Sequence, residues 1–183
     1  MKQSAKLSER NALIQNFFCP GSNSRDLGMT IDPGIGGTGI AIWSPNGECV
    51  RSETFDSREK DWINASKHIS RYFYQIGPFK FIAFEMPSNF QTSTASIAAG
   101  KRGDILKLSI LIGMIIKVTE NATDLHVPIL VQTWKGNAKK EMMNDRVKRV
   151  FNNDEDQKYY LVEKMTTHAL DAIGIGLYLQ GKL

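Results

Sequence analysis

Cysteine is nearly absent from this chain of 183 residues. Only Cys19 and Cys49 occur, far apart and outside any CxxC spacing, so neither a zinc finger nor a disulfide framework is expected. Long apolar runs are missing as well. The nearest candidate, residues 108–118 (LSILIGMIIKV), falls well short of the roughly 20 residues that a membrane-spanning helix needs. Lys2, Lys6 and Arg10 are not followed by an apolar core, so no secretory signal is expected and the reading is of a cytoplasmic protein. Internal repeats and low-complexity tracts are also lacking. Net charge is small, +4, but unevenly placed. Between Lys135 and Arg149, six basic residues (Lys135, Lys139, Lys140, Arg146, Lys148, Arg149) stand against Glu141 and Asp145. On base rates such a surplus is a solvated helix face, yet it also admits a polyanionic partner.

What is present centres on Met29 to Trp43, MTIDPGIGGTGIAIW. A β-like run leads into Asp32, Pro33 to Gly37 punctuate a turn, and Gly39 to Trp43 returns as a second strand. An acid beside a turn with almost no side chains has two readings. Either Asp32 caps its own turn, or the missing Cβ atoms let a phosphate approach closely.

Around this stretch the pattern alternates strands and helices. Ser44-Pro45-Asn46-Gly47 signals a hairpin, which makes Cys49 to Thr54 a third strand, antiparallel to the second. Trp62, Ala65, Ile69, Phe73 and Ile76 recur at helical spacing, with Asp56 or Ser57 as cap. Phe79 to Glu85 (FKFIAFE) reads as a buried parallel strand ending in an acid. After a polar segment, residues 86–103, Asp104 is expected to cap a helix through Val118 or Glu120. That helix is apolar nearly all round and should be buried on two sides, one of them against another copy of the chain. His126 to Gln132 is the fifth strand, Ala138 to Phe151 a basic helix, Gln157 to Glu163 a turn or short helix. A last helix runs from a Thr166 or Thr167 cap to about Gln180. Residues 1–28 read as a partly mobile extension, and residues 29–183 as a single domain of ordinary size.

Three acids then stand out: Asp32 on the first strand, Glu85 ending the fourth, and Asp171 in the last helix. His168 lies three residues before Asp171 and shares its helix face. Asp171 sits among Ala169, Leu170, Ala172 and Ile173, where a solvated acid is out of place and a buried one needs a partner or an ion. Taken alone, His168 is more often a hydrogen-bonded boundary histidine, and Gly174 with Gly176 reads as close helix packing. If strands one and four are parallel neighbours, Asp32 and Glu85 meet at their carboxyl ends. Oxygen donors with one imidazole suit Mg²⁺ or Mn²⁺ better than zinc. Two such ions about 4 Å apart would share Asp32 and clamp a scissile phosphate.

The succession IDPGIGGTGIAIW, FIAFEMP, VPILVQTWKGNAKK and HALDAIGIGLYL resembles the RuvC-like Holliday junction resolvases of the RNase H-like superfamily, in a phage or bacterial member. The resemblance spans Met29 to about Leu179. It implies an α/β fold of RNase H type, a five-stranded mixed sheet with the first three strands antiparallel and helices on both faces. It further implies a homodimer and Mg²⁺-dependent incision of four-way DNA junctions in a bacterial or phage-infected cell. Carried over residue by residue, the family's metal ligands fall on Asp32, Glu85, His168 and Asp171; both Asp and His occur in the family at the position of His168. Lys135 and Lys139 or Lys140 fall where the family sets lysines against the scissile phosphate. The family's aromatic wedge register holds Ser88 here, with Phe90 two residues on. Lys101 and Arg102 form an ordinary loop pair unless a dimer brings two copies to one DNA face.

The expectation is therefore a structure-selective endodeoxyribonuclease, with Phe90, Lys101, Arg102, Lys135, Lys139 and Lys140 toward DNA. Its rivals are an RNase H-like nuclease for flaps, other branched DNA or RNA hybrids, and a junction binder that does not cut. An ATPase of the actin and sugar-kinase kind needs two such lobes, and this chain has length for one.

Overall fold

The computed structural model describes residues 14, 16–18, 26–56, 62–87, 103–123, 125–136, 138–153 and 165–183. Five strands form one sheet: β1 (Leu27–Asp32), β2 (Gly37–Trp43), β3 (Cys49–Asp56), β4 (Phe79–Met86) and β5 (His126–Leu130). Their order across the sheet is β3-β2-β1-β4-β5. β1 pairs antiparallel with β2, and β2 with β3, while β1–β4 and β4–β5 are parallel. The Ser44 to Gly47 turn forms as its residues dictate, closed by Gly47 N–H on Ser44 O at 3.0 Å with Gly47 at φ 85°.

The helices are α1 (Trp62–Ile76), α2 (Asp104–Thr119), α3 (Val131–Lys135), α4 (Lys140–Asn153) and α5 (Thr167–Leu179). Successive strand residues point to opposite faces, so each strand divides its apolar residues between two cores. Met29, Ile31, Ile40, Ile42, Ile82 and Phe84 pack with Ile69 and Tyr72 of α1 and Leu111, Ile112 and Ile115 of α2. Ala41, Trp43, Phe81, Ala83, Val127 and Ile129 meet α4 and α5 on the other face through Val147, Phe151, Leu170, Ile173 and Leu177. Ile14 is buried in that second core, and the Phe17 ring stands edge-on to Phe81 at 5.1 Å. Part of the stretch read as an extension therefore packs against the domain. No helix among the described residues is long and apolar enough to cross a membrane.

Three local expectations are corrected. Asp104 is not a cap: Gly103 holds that position at φ 70° with no side-chain cap bond, and Asp104 lies in the first turn, 4.0 Å from Lys107 Nζ. Gly103 takes the left-handed conformation without a Cβ penalty, which frees the acid for the helix. The fifth strand stops at Leu130, opposite Met86, the last residue of β4. With no further ladder partner, Val131 and Gln132 turn into α3, whose end is closed by Gly136 N–H on Gln132 O at 3.0 Å. Within the chain helix α2 buries one side, with Leu111, Ile112, Ile115 and Thr119 facing the core, and leaves Leu106 66% exposed and Ile110 41% on the side expected to meet another copy. Asp56 ends β3 rather than capping α1, and Ser57 lies outside the described residues, as does residues 157–163.

Candidate active site

Strand parity makes the first placement. Thr30 and Asp32 share the α5 face of β1, and Glu85 follows Phe81 and Ala83 on the same face of β4. The parallel register sets Ile31 against Phe84, so the next residues along, Asp32 and Glu85, emerge side by side at the carboxyl edge of the sheet.

The second placement is made by α5, which lies directly on the sheet. Its N-cap is Thr166, whose hydroxyl accepts from Ala169 N–H at 3.3 Å and also meets the Thr54 hydroxyl of β3. At mid-helix, Thr30 Oγ1 donates to Ala172 O at 2.7 Å and accepts from Trp43 Nε1 at 2.9 Å. So close an approach needs small residues below and within the helix. A Cβ on Gly39 would sit 1.9 Å from His168 O, and one on Gly176 would sit 2.1 Å from the Trp43 ring. Gly174 likewise leaves room for Trp134. The close-packing reading of Gly174 and Gly176 holds.

The glycine turn proves to be a seat for His168. Cβ atoms on Gly34 and Gly37 would come within 2.9 Å and 3.1 Å of its imidazole ring, whereas at Gly36 nothing lies within 4 Å. The clearance provided by Gly34, Gly37 and Gly39, which one of the two readings gave to a phosphate, is taken by the first turn of α5. His168 Nδ1 lies 2.7 Å from Asp32 Oδ2. That hydrogen bond holds the imidazole pKa above its ordinary value, against the opposing effect of partial burial.

The other half of the site is bridged by an ammonium group. Lys135 Nζ lies 3.2 Å from Glu85 Oε2 and 3.1 Å from Asp171 Oδ2, with the Lys135 side chain only 14% exposed. Burial alone would lower the lysine pKa; the charges of Glu85 and Asp171 carry it above the ordinary value instead. Burial raises the pKa of both acids, the nearby Asp32 charge adds to the rise, and Lys135 opposes it. Trp134 supplies the remaining support. Its Nε1 donates to Glu85 Oε2 at 3.0 Å, and Lys135 Nζ stands 4.5 Å from its ring centroid.

The structure thus brings together Asp32, Glu85, His168, Asp171 and Lys135. Lys139 and Lys140 are exposed, with the Lys140 charge reaching His168 and Asp171. Phe90, Lys101 and Arg102 lie outside the described residues, as does Ser88. Trp134 is the residue that sequence reasoning passed over. Its one signal was adjacency to Lys135 in a segment already singled out.

Three carboxylates and an imidazole make a hard donor set of the kind Mg²⁺ or Mn²⁺ takes. Asp171 is 4% exposed, and its Oδ1 is buried without a hydrogen-bond partner among the described residues, an oxygen open to ligation. The residues fit such an ion in kind. As they stand, though, no group of three or more His, Cys, Asp or Glu among the described residues is arranged to hold a metal. His168 Nδ1 is engaged by Asp32, and Lys135 stands between Glu85 and Asp171.

Against solved structures the architecture has clear counterparts. Thermus thermophilus RuvC in complex with a Holliday junction substrate superposes with a TM-score of 0.60 at 14% identity, over 84% of this chain and 91% of that one. The fold is RuvC-like. A second Thermus thermophilus RuvC structure gives 0.55 at 16% identity, over 82% and 91%. Fowlpox virus resolvase, in complex with Holliday junction DNA, gives 0.52 at 18% identity, over 84% and 93%. No family model and no curated protein sequence matches the chain. The likeness establishes the mixed five-stranded sheet with helices on both faces, an RNase H-like fold.

Proposed function

We propose that this protein is a Mg²⁺-dependent endodeoxyribonuclease that resolves four-way DNA junctions, with residues 29–183 as its nuclease domain, working as a homodimer. The observation that carries the reading is the convergence of Asp32, Glu85, His168 and Asp171 on one sheet face, at the carboxyl edge, within a RuvC-like fold. A module that only binds DNA gains nothing from buried carboxylates turned toward phosphates, which repel them unless a cation intervenes.

Asp32, Glu85, Asp171 and His168 would hold the metal, two ions by our reading, with Mn²⁺ able to substitute. When bound, the metal supplies Lewis acidity, lowering the pKa of water and offsetting charge on the scissile phosphate. The residues of the chain do the rest. Asp32 orients the His168 ring through Nδ1 and leaves Nε2 as its other nitrogen. Trp134 fixes the Glu85 carboxylate. Lys135, with Lys139 or Lys140, would stabilise negative charge as water attacks phosphorus and one P–O ester bond breaks. Phe90, Lys101 and Arg102 complete the proposed DNA contacts.

The test is a synthetic four-way junction incubated with the full chain, first with Mg²⁺ and then with Ca²⁺, beside flap, duplex and RNA–DNA hybrid substrates at equal concentration. Cutting of the junction with Mg²⁺ and binding without cutting in Ca²⁺ are expected. Equal cutting of branched and unbranched substrates would overturn the resolvase assignment.

A further inference from the structure

We propose that Lys135 is a displaceable internal cation: in the metal-free protein its ammonium occupies the cation position between Glu85 and Asp171, and a divalent ion enters by expelling it. The inference rests on the metal-binding reading of the site and extends it to how that site is filled.

The geometry is that of a stand-in. Nζ is nearly equidistant from one oxygen of each acid, at 3.2 and 3.1 Å. The Glu85 and Asp171 side chains are 16% and 5% exposed, and Asp32 lies close enough for its charge to act on both. Three acids gathered out of water require positive charge, and here a side chain supplies it. The pairing is incomplete. Asp171 Oδ1 has no hydrogen-bond partner among the described residues, because one ammonium cannot span both oxygens of both acids.

A Mg²⁺ or Mn²⁺ ion would sit about 2.0–2.2 Å from its oxygens, well inside the hydrogen-bond distances of Lys135, so an ion seated between Glu85 Oε2 and Asp171 Oδ2, the two oxygens that Lys135 holds, cannot share that position with the ammonium. Lys135 has the means to leave. It is the last residue of α3, followed by Gly136 at φ 57°, and its stem is long and flexible. Glu85 keeps its aim after the exchange, since Trp134 Nε1 holds it independently. Loading the metal would then release the lysine that the proposed cleavage needs beside the phosphate. It also means that the free protein binds metal less tightly than its donor set would allow.

Mn²⁺ binding to the full chain without DNA, followed by the EPR signal of free Mn²⁺, tests this. Lys135→Met should bind Mn²⁺ about ten-fold more tightly than wild type, an ordinary size for coupling between two binding events. Lys135→Arg, which keeps the charge, should bind no more tightly. Lysine footprinting of the wild-type protein with an acylating reagent gives a readout that no variant's folding can confuse: labelling of Lys135 should rise several-fold when Mn²⁺ is added. Equal or weaker binding by Lys135→Met, tighter binding by Lys135→Arg, or unchanged labelling would each overturn the exchange. If wild type binds Mn²⁺ and Asp171→Asn does not, those failures leave the metal reading standing. Absence of Mn²⁺ binding in both wild type and Lys135→Met would overturn the metal reading too.

Discussion

The two halves of the site are held by different means. Asp32 and His168 meet because glycine leaves room for both backbone and ring: Gly39 lets the His168 carbonyl rest on the sheet, Gly34 and Gly37 make space for its imidazole, and the 2.7 Å hydrogen bond follows from that approach. Glu85 and Asp171 are joined by side chains, through the Lys135 ammonium, with Trp134 behind Glu85. The first arrangement is part of the fold and leaves no room for an added atom at Gly34 or Gly39. The second is a set of contacts that can open without moving a strand or helix.

Asp32 contributes to both halves, pairing with His168 and acting by charge on Glu85 and Asp171, so its replacement should have the largest effect. Asp32→Asn is expected to abolish cleavage of a four-way junction while retaining binding in a gel-shift assay. Cleavage by this variant would remove Asp32 from the reaction. Gly39→Ala tests whether the first half is truly backbone-limited. Its Cβ would collide with His168 O, so α5 must lift, at a cost of about 1–3 kcal/mol by urea unfolding together with loss of cutting. Unchanged stability would mean that α5 rides more loosely than described.

Trp134→Phe addresses the second half. The ring is kept and the donor to Glu85 removed, which should lower cleavage by about 10–100-fold, as for other groups that orient metal ligands. An activity equal to wild type would show that Glu85 keeps its aim without the Trp134 donor. The smallest effect concerns pH. His168 has a folded pKa raised above 6.5, so the stability it contributes is fully present below pH 6.5 and is lost as pH rises through the folded value. The Tm of the metal-free protein should fall across that interval, and His168→Gln should flatten the fall. An identical slope in this variant would assign the titration elsewhere.

Much of this could be read from the chain. The apolar runs in MTID and FKFIAFE, each ending in an acid, set Asp32 and Glu85 at the carboxyl ends of two strands, and the three-residue spacing set His168 with Asp171 on one helix face, because these patterns are local. The signals failed where a neighbour decides. Val131 and Gln132 are apolar or polar in a pattern a strand would accept, but β4 had ended and left them no ladder. The purpose of the glycine turn was hidden for a similar reason: the group that fills it lies more than a hundred residues away. Lys135 was legible as a basic residue, not as a bridge, since desolvation between two acids belongs to the folded state alone.

Thr30 carries a consequence for the helix above it. One hydroxyl holds both Trp43 of β2 and the Ala172 carbonyl of α5, the residue next to Asp171. A helix advancing by one residue turns by about 100°, so a slip of a single position would swing Asp171 out of the site altogether. Thr30 acts as an indexing pin: it fixes the angle at which the helix is clocked on the sheet. A valine there would keep the shape and lose the detent, leaving the rotational setting of Asp171 to apolar packing, which has far less sense of angle.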